Sequence, residues 1–165
     1  MSVRPVRIYP DAVLKQIATP VQTIDDDARV LARDLVDTMR SHERCVGLAA
    51  NQIGVLRRCV AVDVTGHRKA QSCSGLLVLF DPEVVSHSGS EVAREGCLSI
   101  PDLTANVRRA TDIVVRGLSE DGTSREVVAD AFEARALLHE IDHLDGILFL
   151  DRVASLETDV FRRKI

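Results

Sequence analysis

The sequence predicts an α+β fold in which antiparallel or mixed β-strands pack around a central helix carrying metal-binding residues. Three observations point there: an amphipathic helix early in the chain, a second helical stretch near its end, and short β-branched runs between them. Thr23-Ile24-Asp25-Asp26-Asp27 places polar caps and acidic charge at a helix start, where the dipole favours both. Ala28, Leu31, Ala32, Leu35 and Met39 then recur at helical spacing, enough for about four to five turns with one buried face. A shorter helical stretch after Tyr9-Pro10-Asp11 ends before Thr19-Pro20.

The middle of the chain reads as strands at 58–64, 76–80, 83–85, 107–115 and 125–128, with a polar loop over 65–75. Glu120-Asp121-Gly122-Thr123 is a hairpin turn signal before the last of these. Helical spacing returns over 131–144 and stops at Asp145-Gly146, after which 147–150 reads as extended and the tail as short and charged. There is no repeat, linker or low-complexity segment, and 165 residues suit one core better than two.

Composition excludes several classes. Lys and Arg number 21 against 25 Asp and Glu, a net charge of −4, which argues against a protein built for specific grip on DNA. Aromatics are 3%, too few for base-stacking platforms. No apolar run approaches the roughly 20 residues that span a bilayer, and Met1-Ser2-Val3-Arg4-Pro5 lacks the layout of a secretory leader. The expected location is the cytoplasm. Cys45, Cys59, Cys73 and Cys97 form no C-x-x-C pair, so in a reducing compartment each is packing or chemistry.

The strongest local signal is Leu138-His139-Glu140-Ile141-Asp142-His143-Leu144. On a helix, His139 and His143 project from one face and can share a cation. Glu140 sits beside the first of them, where a carboxylate can act as general base without occupying the metal. Asp142 is a candidate to orient a ligand imidazole through its second nitrogen. The alternative, a charged helix face with two histidines by chance, is weakened by the apolar Leu137, Leu138 and Leu144 around the motif.

A hydrolytic metal usually takes three protein ligands and leaves one position for water. No histidine follows His143, so the third ligand is sought upstream, in Glu95-Gly96-Cys97-Leu98-Ser99-Ile100-Pro101. A thiolate is a strong ligand, and glycine beside it allows the backbone close to a cation. Taken alone, Cys97 reads as a small buried hydrophobe. A third segment, Cys45-Val46-Gly47-Leu48-Ala49-Ala50-Asn51-Gln52, reads either as a tight strand or turn with a solvated Gln52, or as a site for its amide to donate to a developing oxyanion.

Together, in this order, Gly47-Leu48-Ala49-Ala50-Asn51-Gln52, Glu95-Gly96-Cys97-Leu98-Ser99 and His139-Glu140-Ile141-Asp142-His143-Leu144 resemble the peptide deformylase family, as does the lead Tyr9-Pro10-Asp11 with Ala18-Thr19-Pro20-Val21. The resemblance implies one catalytic domain over 1–165. It implies a hydrolase that removes formyl, as formate, from the N-terminal formyl-methionine of new polypeptides, with transient ribosome contact as an accompanying expectation. Cys97, His139 and His143 would hold one divalent metal: Fe(II) by resemblance, with Zn(II), Ni(II) or Co(II) as substitutes, although ligand chemistry alone names zinc. Glu140 would handle the proton, while the Gln52 amide and the Leu98 backbone N–H would steady the oxyanion. Phe132 and Ala136 would line the methionine pocket, and backbone at Val46 and Gly47 would pair with the peptide.

Four departures stand out: Cys45 for the first glycine of the opening motif, Leu138 for a glutamine, Asp81 for an asparagine before Pro82, and the unusual segment 102–106. They motivate a second reading, a deformylase-like paralogue acting on another formylated or acylated amine.

Overall fold

The computed structural model describes residues 3–163, so the first two and the last two residues of the 1–165 range lie outside the described residues. Helix α1 runs Asp26–Arg40, and Asp25 caps it by accepting from the Ala28 N–H at 2.8 Å. Strands β1 (Gly47–Ala49), β2 (Cys59–Val62), β3 (Leu77–Ser88), β6 (Asp112–Leu118) and β7 (Ser124–Asp130) form one sheet in that spatial order. Strands β4 (Glu91–Cys97), β5 (Ile100–Arg109) and β8 (Val160–Arg162) form a second. Helix α2 covers Ala131–Leu144.

Every ladder in both sheets is antiparallel, which resolves the expectation of antiparallel or mixed pairing; a parallel bridge joins only Thr19 and Arg57, outside the named strands. The large sheet is covered on both faces. Strand β2 shows how, because its side chains alternate: Cys59 and Ala61 pack with Leu31, Leu35 and Met39 of α1, while Val60 and Val62 pack with Leu137, Ile141 and Leu144 of α2. A central strand walled by helices needs apolar residues on both sides, which is why the run is continuously hydrophobic.

Helix α2 is buried nearly all round, and this buries His139, Glu140 and His143 with it. A third apolar cluster, including Leu14, Cys97, Ile100, Val107, Leu148 and Phe149, lies under the small sheet. Cys97 ends β4 within that cluster, and the small sheet thereby brings its thiol up to α2.

The predicted strand at 107–115 is two strands, broken by the turn at Ala110-Thr111, and 76–80 with 83–85 is one bulged strand. The expected extended piece at 147–150 instead enters a 3-10 turn, Phe149–Arg152. Strands β4 and β8 were unexpected.

Candidate active site

Cys97 Sγ lies 3.4 Å from His143 Nε2, and Cys97, His139 and His143 each place one donor atom within 4.8 Å of the others'. A tetrahedral cation with ordinary thiolate and imidazole bond lengths sets such sulfur–nitrogen pairs roughly 3.5 Å apart, so the spacing fits a metal. The fit extends to the partners of the ligands. Glu95 Oε1 sits 2.9 Å from His139 Nδ1, which fixes the ring and aims Nε2 at the shared point. No other His, Cys, Asp or Glu joins the group among the described residues. Three donors with one side open is the pattern of a working rather than a purely structural metal site.

The expected orienting role of Asp142 is not observed. Its carboxylate accepts from Arg109 at 2.8 Å and from Arg152 at 2.5 and 2.7 Å, and it touches neither imidazole. Asp142 directly precedes His143, roughly 100° away from it around the helix, and the two arginines hold its carboxylate there. Glu95 takes the role instead, and the sequence reading missed it because the pair is 44 residues apart.

Glu95 is the hub of a buried charge network. Arg109 donates to it through Nε and Nη2 at 2.5 and 3.0 Å, and Arg135 Nη1 donates at 2.7 Å. Burial pushes Glu95 toward protonation, but the hydrogen bonds from His139 and Arg109 outweigh it and hold the carboxyl at about 2. Because the folded value lies below the ordinary 4.5, this stabilisation is complete above about pH 4.5 and is lost as pH falls toward 2. Glu95→Gln would leave the buried Arg135 without a carboxylate partner and Arg109 with Asp142 alone, which is expected to destabilise the protein by about 3–5 kcal/mol at neutral pH. Urea unfolding of both proteins should show that gap closing as pH drops to about 2; a constant gap contradicts the assignment.

The surroundings of His139 favour its protonated form. Burial opposes this, but the hydrogen bond to Cys97, the charge of Glu140 and the hydrogen bond to Glu95 together raise it well above its usual value. His143 is pushed the other way, by burial and then by the positive His139, and is a neutral donor.

Glu140 is 5% exposed, and its Oε1 has no hydrogen-bond partner among the described residues. Burial raises its carboxyl to about 7. Gly47 is required opposite it: a Cβ there would lie 2.6 Å from Glu140 Oε2. Gly47→Ala is thus expected to displace the carboxylate and cut turnover by on the order of 10²-fold with little change in metal content; unchanged turnover would contradict this packing.

Gln52 is buried, contrary to the solvated alternative, on a 3-10 turn after β1. Its Oε1 accepts from the Ala49 N–H at 3.0 Å, so the amide nitrogen points inward, donating to Ser99 Oγ at 3.1 Å with Cys97 Sγ at 3.4 Å. Ser99 was not anticipated as its partner. Leu98 follows Cys97 at the bend between β4 and β5.

These groups open on a cavity of ≈320 Å³ lined by Val46, Gly47, Gln52, Cys97, Leu98, Phe132, Ala136, His139 and Glu140, together with Arg94, Arg135 and Arg163. Phe132 is fixed from the 65–75 loop by His67, whose ring stacks on it at 3.8 Å. Cys45 also lines the cavity. Its thiol donates to the Gly47 carbonyl at 3.2 Å and, pushed to about 12 by burial and the Glu140 charge, stays neutral. Gly96 also makes room for Arg163, since a Cβ there would collide with its Nη2.

The other departures fall away from the ligands. Asp81, at φ 50°, accepts from the Val21 and Gln22 N–H groups at 2.7 and 2.9 Å, a task that the neutral oxygen of asparagine would do more weakly. Leu138 packs half-buried against the main core. Residues 102–106 lie in β5, paired with β4, and do not line the cavity.

An α+β scaffold presenting a thiol and a His-Glu-x-x-His helix around one open cation position defines a metal-dependent hydrolase. A family profile for polypeptide deformylase matches residues 3–159. The peptide deformylase of Thermodesulfovibrio yellowstonii is 40% identical over 99% of this chain and 97% of its own. The crystal structure of a peptide deformylase from Legionella pneumophila superposes with a TM-score of 0.85 at 38% identity, covering 94% of this chain and 88% of that one. That of the Ehrlichia chaffeensis peptide deformylase in complex with actinonin gives 0.88 at 31% identity, covering 95% and 92%. The chain belongs to the peptide deformylase family.

Proposed function

We propose that this chain, as a single catalytic domain, hydrolyses the formamide of N-formylmethionyl polypeptides to formate and a free N-terminal amine. The observation that carries the proposal is the convergence of Cys97, His139 and His143 beside an unpartnered buried Glu140 in one open cavity. When bound, a divalent cation supplies Lewis-acid chemistry, polarising a carbonyl and making water more acidic.

The chain's own residues do the rest. Glu140 takes the proton of the attacking water and delivers it to the departing amine; burial favours the protonated form of its carboxyl and so helps it carry that proton. The Gln52 N–H, aimed by the Ala49 N–H on its oxygen, and the Leu98 backbone N–H donate to the oxygen that gains charge at the formyl carbon. Phe132 and Ala136 receive the methionine side chain, and the backbone at Val46 and Gly47 pairs with the substrate as an added strand. Formate release from formyl-Met-Ala-Ala by metal-loaded protein tests this, and its absence contradicts it.

The proposed native cation is Fe(II), by family resemblance, with Zn(II), Ni(II) and Co(II) able to stand in. Air is expected to inactivate anaerobically prepared iron protein by oxidising the ion or its thiolate ligand, while zinc-loaded protein keeps its activity. The proposed setting is the cytoplasm, in transient contact with ribosomes; no described helix is long and apolar enough to cross a membrane. Co-sedimentation with ribosomes at low salt would test that contact. Cys45, in the lining of the cavity, is the feature that keeps the second reading in view, and comparing rates on small formylated amines with those on formyl-Met peptides separates the two.

A further inference from the structure

Three cations that line the cavity, Arg44, Arg94 and Arg163, have no part in the chemistry above, and Arg44 alone of them follows a carboxylate of the same lining, Glu43. Arg94 and Arg163 both line the cavity, one from β4 and one just after β8, and neither is ion-paired among the described residues. In a chain of net charge −4 they are not a product of general basicity. Nor are they loose. The Arg94 guanidinium lies 3.7 Å over the Phe161 ring, and its Nε and Nη1 donate to Asn106 at 3.2 Å and Thr104 at 3.4 Å. Arg163 donates its backbone N–H to the Asp102 carbonyl at 2.8 Å, and its guanidinium lies against the bare α-carbon of Gly96, one residue before Cys97.

The unusual segment 102–106 thereby gains a purpose. It never enters the cavity, yet Thr104 and Asn106 hold the Arg94 guanidinium and Asp102 holds the backbone of Arg163. A guanidinium fixed in this way, with donors left over, matches a carboxylate better than a flexible lysine would. Resting on the proposed deformylase activity, we propose that Arg94 and Arg163 form a carboxylate-binding subsite in the cavity that favours formyl-methionyl chains with an acidic side chain one or two residues beyond the methionine. The pair lines the same cavity as Cys97, His139 and Glu140, so a peptide already held there is the occupant that reaches it, in preference to a nucleic-acid strand.

The test compares C-terminally amidated formyl-Met peptides carrying Glu or Lys at the second or third position. For the wild-type protein at low salt, kcat/KM for Glu over Lys is expected to be about tenfold at one of these positions, carried by KM and shrinking as salt is raised. In Arg94→Gln/Arg163→Gln the ratio should fall near one. Taking the ratio within each protein cancels any general loss of activity. Arg94→Lys, which keeps the charge but not the fork, should retain part of the preference. A wild-type ratio near or below one at both positions, or a ratio that survives the double substitution, overturns the subsite. So does a ratio near one accompanied by binding of an RNA oligonucleotide that the double substitution abolishes. Formate release from none of the peptides would instead overturn the activity itself, and the subsite with it.

Discussion

Glu140→Ala is expected to lower kcat/KM for formyl-Met peptides by roughly 10²–10⁴-fold while a cation stays bound, the range typical of a lost general acid–base. Glu140 is not among the grouped donors, so its removal leaves the ligand set whole. It faces the cavity with an oxygen that nothing else in the described structure occupies. Such a buried, unpaired carboxylate is costly to keep, and its removal should leave stability unchanged or improved. Glu140→Gln should behave alike, since it keeps the shape but not the basicity. The carboxylate form is the base, so the rate should fall as pH drops through its pKa. That value is about 7 without metal, and a cation nearby moves the limb lower. Metal analysis beside formate assays checks both parts; activity within tenfold of wild type would remove Glu140 from its role.

Cys97→Ala or His143→Ala is expected to weaken metal binding on the order of 10²–10³-fold and to abolish turnover at limiting metal, because each removes one of only three donors. The two losses should differ in their effect on the fold. Cys97 packs with Ile100, Leu148 and Phe149, so alanine leaves a small void of about 1 kcal/mol. His143 is 1% exposed, with Nδ1 unpartnered among the described residues, and its replacement removes a buried polar atom together with a large ring. Dialysis against chelators of graded strength, followed by metal analysis, reads the affinity directly. Full metal retention in either variant would contradict the ligand set.

Much of this site was legible in the sequence because its central piece is local. His139, Glu140 and His143 lie within one helix, where spacing alone decides which side chains share a face. Helix α1 and strand β2 were legible for the same reason, since each carries its burial pattern within a few residues. What was not legible depends on long-range pairing. The Glu95–His139 contact needs β4, and Glu91–Cys97 is polar and glycine-containing because one face of the small sheet is open to solvent. Strand β8 is three residues long and exists by pairing with Leu103, Thr104 and Ala105. Asp142 was assigned to an imidazole because its nearest charged partners, Arg109 and Arg152, come from elements whose approach no spacing rule reveals.

X-ray absorption on the metal-loaded protein tests the central claim most directly. The account predicts one sulfur at about 2.3 Å, two imidazole nitrogens at about 2.0–2.1 Å and one further light atom, with the sulfur shell vanishing in Cys97→Ala. A sphere with no sulfur, with two, or with four protein donors and no room for solvent would contradict it.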